Sequence, residues 1–182
     1  MFWVQLTVYL ILIAIEIAII VIFGSAFLRG LPYAPTSRRA VERMVALAGV
    51  RPGMRIVDLG SGDGRIVFAL TRAGAEAHGI EMNRMLVWWS RMRARSVGLA
   101  ERATFTRGDY THVDLAPYDA VLVFGSPLVM QKLEEQFARQ LRPGTVIVCN
   151  THRLPTWTPE RSEGKLVVYR VPTRPLGAVS HP

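Results

Sequence analysis

Val57-Asp58-Leu59-Gly60-Ser61-Gly62-Asp63-Gly64-Arg65 is the stretch on which the fold turns. An apolar run at 54–59 meets a glycine cluster, and apolar residues at helical spacing follow to about Arg72, so the segment reads as strand, tight turn and helix. Glycines at such a turn let backbone amides approach a ligand closely, and the dipole of the helix behind them favours a carboxylate or a phosphate. The dinucleotide fingerprint requires glycine or alanine three residues after its second glycine. That position is Arg65, a bulky side chain at a close-packing point, which argues against a dinucleotide. A second apolar strand at 77–81 completes a βαβ unit.

The same alternation continues on both sides. Thr36 or Ser37 caps a predicted helix that runs to about Ala48, with Val41, Met44, Val45 and Ala48 at helical spacing. A helix predicted over 83–97 is expected to bury Met85, Leu86, Trp89 and Met92, and another runs over 127–141. Strands are predicted at 103–106, 119–124, 145–150 and 165–171. Segments such as AVLVF and TVIVC are apolar along their whole length, as strands are in a mostly parallel sheet covered by helices on both faces.

Composition bounds what this α/β domain is joined to. The 182 residues allow one membrane element and one domain. The single cysteine, Cys149, excludes an intrachain disulfide and any thiolate metal cluster, and no metal is expected. A formal charge of +8 comes almost wholly from arginines spread along the chain, with no basic block, so nucleic acid is not the expected partner; an arginine-rich surface facing anionic lipid is. Residues 8–28, VYLILIAIEIAIIVIFGSAFL, are long enough to span ~30 Å of hydrocarbon. Their aliphatic and aromatic side chains contribute about −6 kcal/mol to insertion, against roughly +3 for the one acidic group, Glu16. Arg29, Arg38, Arg39 and Arg43 follow the span and no cation precedes it, which predicts an outside N-terminus and a cytoplasmic domain. Glu16 is a candidate for contact with a partner helix or a substrate's membrane segment. The expected organisation is therefore an anchor at 1–29, a segment with one helix at 30–53, an α/β domain at 54–171 and a loose tail at 172–182.

Asp58, Gly60, Gly62 and Gly64 resemble the first motif of S-adenosylmethionine-dependent methyltransferases, acidic-x-Gly-x-Gly-x-Gly, which implies a Rossmann-like class I methyltransferase sheet with S-adenosyl-L-methionine as cofactor. The resemblance implies roles further on. Glu81 stands where the superfamily holds the ribose hydroxyls, Met82 where a side chain lines the adenine, and Asp109, before Tyr110, where an acidic residue meets the adenine amino group. Pro32-Tyr33-Ala34-Pro35-Thr36, VDLGSGDGRIV, Leu86 to Arg91, Phe124-Gly125-Ser126-Pro127, and Trp157 with Pro159 narrow it further. Over residues 31–170 the chain resembles small protein lysine methyltransferases, the family that includes the mitochondrial enzymes acting on the c-ring protein of ATP synthase and on the adenine nucleotide translocase, with archaeal relatives. Ala34 replaces the valine usual there, and the region after Asn150 diverges. Tyr33 and Thr36 inherit from the family a place at the cofactor and substrate site.

Methyl transfer to an amine requires a lone pair held in line with a sulfonium methyl, and deprotonating a lysine at neutral pH costs about 4.6 kcal/mol. A desolvated aromatic pocket offsets part of that by disfavouring the ammonium. Tyr33, Phe124, Trp88 and Trp157 are candidates to line such a pocket, with Tyr110 and Ser126 to orient the amine; Trp89 reads as core. His112 and His152 follow predicted strand ends and are weaker candidates for proton transfer. The Gly-Ser-Pro after the strand at 119–124 differs from the Asp or Asn-Pro-Pro-aromatic sequence of enzymes that methylate planar amino groups. The expected function is lysine methylation of a membrane-associated protein. Alternatives are a small-molecule or lipid-headgroup methyltransferase and a non-catalytic, cofactor-binding membrane factor.

Overall fold

The computed structural model describes residues 2–27 and 36–172, with side chains described at Trp3, at 5–18 and from 36 onward. Tyr33 and the rest of the element up to Pro35, Arg29, and the tail after Pro172 lie outside the described residues. Two compact units result, one from Met1 to Pro35 and one from Thr36 to Pro182.

The first unit contains helix α1, Phe2–Phe27. Its described side chains are exposed on every side, and Thr7 satisfies its hydroxyl by donating to the Trp3 carbonyl oxygen at 2.8 Å. Among the described residues no helix is long and apolar enough to cross a membrane. The span expected at 8–28 is therefore not established, because residues 19–28, on which it depends, have no described side chains.

The second unit is a seven-stranded sheet flanked by helices. In chain order its elements are α2 (Arg38–Leu47), β1 (Arg55–Leu59), α3 (Arg65–Arg72), β2 (Glu76–Glu81), α4 (Arg84–Ser96), β3 (Ala103–Arg107), β4 (Ala120–Phe124), α5 (Pro127–Gln140), β5 (Val146–Asn150), β6 (Arg161–Glu163) and β7 (Leu166–Arg170). The strand order is β3-β2-β1-β4-β5-β7-β6. The first five strands run parallel; β7 pairs antiparallel with β5, in register from Val146 opposite Arg170 to Asn150 opposite Leu166. Strand β6 went unread in the sequence because three exposed or half-buried residues carry no apolar alternation.

Each face of the sheet has its own core. On one, Ile56, Leu122 and Val148 pack with Met44 of α2, Phe68 of α3 and Val87 of α4. On the other, Val57, Val121 and Ile147 pack with Met130, Leu133 and Phe137 of α5. Cys149 lies in this second core, where burial pushes its thiol up to about 12.

Helix α4 reverses the expectation for its faces. It seats on the sheet through Val87, Ser90 and Ala94, all buried, whereas Met85, Trp88, Trp89 and Met92 are 54%, 54%, 56% and 44% exposed. Trp89 is thus not core, and Leu86 is half-buried. Small side chains permit the close helix–sheet approach that Ser90 shows, its hydroxyl lying 3.5 Å from the Gly62 carbonyl oxygen. Large side chains at those positions would hold the helix off the sheet. Replacing Trp89 by alanine is accordingly expected to change stability by no more than about 0.5 kcal/mol, and Ala94→Leu to cost about 1–3 kcal/mol; urea unfolding measures both.

Candidate active site

The sheet order reverses between β1 and β4, and crevices outside strand carboxyl ends at such a reversal are where open α/β sheets hold ligands. Because β1 to β5 are parallel, the residues after each strand share one edge of the sheet. That edge carries Gly60 to Gly64 after β1, Glu81 and Met82 at β2, Asp109 and Tyr110 after β3, Phe124 to Ser126 at β4, and Asn150 to His152 at β5.

The turn after β1 is fastened at several points. Gly60 and Ser61 donate their amides to the Ile80 carbonyl oxygen at 2.9 and 3.0 Å. The Gly62 amide donates to Oε2 of Glu81 at 3.0 Å, and the Asn83 amide donates to its Oε1 at 2.8 Å. Glu81 therefore enters the site already oriented, with lone pairs remaining on both oxygens. Gly60, Gly62 and Gly64 all have positive φ, at 82°, 54° and 77°. At Gly64 a Cβ would also stand 2.7 Å from the Phe105 ring, and at Gly79, in mid-β2, 2.6 Å from Ser61 Oγ and 2.8 Å from Phe105. Phe105 and Gly79 were missed in the sequence: one looks like any strand aromatic, the other like a weakness in a strand.

Arg65, which argued against a dinucleotide, closes the turn from the helix side. Its guanidinium forks onto Asp63, Nε to Oδ1 at 2.9 Å and Nη2 to Oδ2 at 2.7 Å, and donates to the Thr36 carbonyl oxygen at 2.9 Å. Burial raises the Asp63 carboxyl, but the bonds from Arg65 outweigh that and hold it below the usual range. Thr36 thus meets the turn through its backbone.

Asp58 is 2% exposed, and its Oδ2 has no hydrogen-bond partner among the described residues; the same holds for the buried Ser61 Oγ. Burial, then the Glu81 and Asp63 carboxylates, push the Asp58 carboxyl up to about 8. Two buried orphan polar atoms beside preset amides describe a cradle for a polar ligand.

Tyr110 and Phe124 border the turn: a Cβ on Gly60 would lie 3.8 Å from Tyr110 Cε1 and 3.9 Å from the Phe124 carbonyl oxygen. Burial, with Asp109 and Glu81 nearby, raises the Tyr110 phenol, so it stays protonated and acts as a neutral donor or acceptor. Asp109 caps the short 3-10 turn at Tyr110–His112, where its Oδ1 accepts from the Thr111 amide at 2.9 Å and hydroxyl at 2.8 Å. Burial raises its carboxyl slightly, yet the Thr111 bonds bring it below the usual range. Ser126 is the N-cap of α5 without a side-chain capping bond, and the adjacent Leu128 is 80% exposed. Met82 is partly exposed beside Glu81. Trp157, half-buried against the second core, sits on a loop held by Glu134, which accepts from the Thr156 amide at 2.9 Å and hydroxyl at 2.6 Å. Tyr169 adds a bond from the Leu154 amide to its hydroxyl at 3.0 Å. Trp88, expected to line an amine pocket, lies instead on the exposed face of α4. His112 projects outward, and His152 is half-buried after Thr151, whose φ of 77° makes it the one non-glycine with positive φ among the described residues.

A pH test follows from Asp58. Its folded pKa is raised, so between about pH 4 and 8 the unfolded state holds fewer protons and stability falls as pH rises. Burial depresses His78, which acts oppositely below its ordinary value, so the window of 6.5 to 8 isolates Asp58. Over that window the melting temperature should fall, and Asp58→Asn should flatten the slope.

Known proteins of the same make lie close by. The lysine N-methyltransferase of the ATP synthase c-ring protein in Rattus norvegicus is 40% identical over 135 residues, covering 74% of this chain and 62% of that protein. The adenine nucleotide translocase lysine N-methyltransferase of Mus musculus is 40% identical over 129 residues, covering 70% and 56%. The chain thus spans only about three fifths of the length of these curated relatives. Among solved structures, an RNA methyltransferase from Salinibacter ruber, in complex with S-adenosyl-L-homocysteine, superposes with a TM-score of 0.74 at 35% identity, covering 78% of this chain and 95% of that one. The sheet is the class I methyltransferase fold, and with the model of the ANTKMT methyltransferase domain matching residues 58–161, the chain belongs to that family.

Proposed function

We propose that the chain is an S-adenosylmethionine-dependent protein lysine methyltransferase anchored in a membrane by α1. The observation that carries the cofactor is the pair of orphan buried atoms, Asp58 Oδ2 and Ser61 Oγ, next to a turn whose amides are set by Glu81. Asp58 and Ser61 offer polar partners for the amino-acid end of the cofactor, and Glu81 offers acceptors for its ribose hydroxyls. When bound, the cofactor supplies an electrophilic methyl on a sulfonium. The remaining chemistry belongs to the chain: Phe124 and Trp157 exclude water and disfavour an ammonium, while the Tyr110 phenol and the uncommitted Ser126 hydroxyl orient a neutral amine. No covalent nucleophile is required.

The lysine assignment rests on the relatives' activities, and two of those proteins are named for membrane-protein substrates. Helix α1 supports the anchor: it is continuous over 26 residues, apolar on all its described sides save Gln5, Thr7 and Glu16, and its described side chains are exposed. The arginines after it favour an outside N-terminus and a cytoplasmic domain. RNA methylation is the second reading, favoured by the Salinibacter structure and the charge of +8. Gly125-Ser126-Pro127 at the end of β4 weighs against a planar amino group as acceptor.

Incubation of the full chain with matched membranes and radiolabelled cofactor should place label in protein, and chemical blocking of lysines should abolish it. Label in RNA or in organic-extractable lipid would overturn the lysine reading. Glu81→Ala should weaken binding of S-adenosyl-L-homocysteine about 10- to 100-fold by calorimetry, as loss of charge-assisted hydrogen bonds requires. In sealed vesicles of cytoplasmic-side-out orientation, protease should remove the domain from Thr36 onward; protection would reverse the assigned topology.

A further inference from the structure

Helix α4 is built inside out for a domain that meets only water. Its buried face is narrow and small, Val87, Ser90 and Ala94. At 100° per residue, Met85, Trp88, Trp89 and Met92 fall on the opposite side within one continuous sector, all four exposed, and Met82 extends that apolar surface beyond the helix start. Two adjacent tryptophans and three methionines on one exposed face form the type of patch that monomeric surfaces avoid.

Charge identifies the occupant. The helix RMLVWWSRMRARS contains four arginines and no acidic residue. Arg91 and Arg93 are engaged inward, Arg91 donating to the Phe105 carbonyl oxygen at 2.7 Å and Arg93 stacking over Phe68 at 4.9 Å. Arg84 and Arg95 are exposed and form no ion pair among the described residues, and both lie along the side of the sector that Trp88 borders. Indole rings, flexible thioethers and a flanking row of arginines are the constituents of an interfacial membrane helix: indoles settle at the headgroup level, thioethers adapt to acyl chains, and guanidinium groups pair with phosphates. A protein groove with acidic walls would match the arginines but not so wide an apolar sector lying over a helix rather than in a cleft.

We infer that the outer face of α4, Met85, Trp88, Trp89 and Met92 flanked by Arg84 and Arg95, is a second membrane contact, lying flat on an anionic lipid surface. The contact is separate from α1: an interfacial helix of this kind binds weakly and reversibly, and tethering converts a weak contact into a persistent one by raising its effective concentration.

Two variants of the full chain separate this inference from the anchor. One keeps Trp3 alone among the four tryptophans, the other keeps Trp88 and Trp89 alone, with the remaining tryptophans changed to phenylalanine. Each is reconstituted into vesicles of phosphatidylcholine with or without phosphatidylglycerol, in which a fraction of the acyl chains is brominated. Emission from Trp88 and Trp89 should shift to the blue and be quenched by bromine in the anionic vesicles. Raising the salt to 1 M, or combining Arg84→Gln with Arg95→Gln, should reverse the quenching and restore access to aqueous iodide. Quenching of Trp3 with unquenched, iodide-accessible Trp88 and Trp89 overturns the inference and leaves the anchor standing. Quenching of the α4 pair without that of Trp3 overturns the anchor instead. Shielding from both quenchers, dependent on protein concentration, overturns the inference in favour of a second copy covering the face. Circular dichroism of each variant checks that the fold is retained.

Discussion

The approach of three chain segments around Phe105 is the constraint from which the rest of the domain takes its geometry. Its ring occupies the space where a Cβ on Gly64 and another on Gly79 would stand, 2.7 and 2.8 Å away. With those atoms missing, the turn after β1 drops onto β2, where the Gly62 amide reaches Glu81 and the Gly60 and Ser61 amides reach Ile80. Helix α4 then comes near enough for Ser90 to approach the Gly62 carbonyl oxygen, and Arg91 closes over the Phe105 carbonyl oxygen. Site, sheet edge and helix packing are one arrangement, and no part of it tolerates much added volume.

What the sequence conveyed was set by which physical signals are local. The parallel strands announced themselves as continuous apolar runs, and the glycine turn by its spacing, because both depend on neighbouring residues. Glu81 and Asp109 could be placed by order along the chain, although the attachment of Asp109 to Thr111 depends on the 3-10 turn, which is too short for periodicity to reveal. The face of α4 was misread for a different reason. Apolar periodicity shows that a helix has a greasy stripe but not that the stripe points inward, and here clearance at the sheet admits only Val87, Ser90 and Ala94. Gly79 and Phe105 were invisible since their importance is a long-range coincidence of volumes.

The other side of the edge is organised by buried polar anchors on α5. Glu134 is buried and accepts two bonds from Thr156, and Gln136, also buried, donates to the Val113 carbonyl oxygen at 2.7 Å. One helix thereby fixes both the loop bearing Trp157 and the segment bearing Tyr110 and His112. Divergence after Asn150 therefore concerns loops whose tips vary while their attachment points to α5 stay satisfied.

Cys149 has a practical corollary. Its sulfur is enclosed in the second core and its thiol is held at about 12, so at neutral pH the folded chain presents almost no thiolate to an electrophile. With no other cysteine in the sequence, the native protein already behaves as a cysteine-free background. A cysteine placed at any exposed position would be the single reactive handle for a spin label, a fluorophore or a crosslinker, with the wild-type core left untouched.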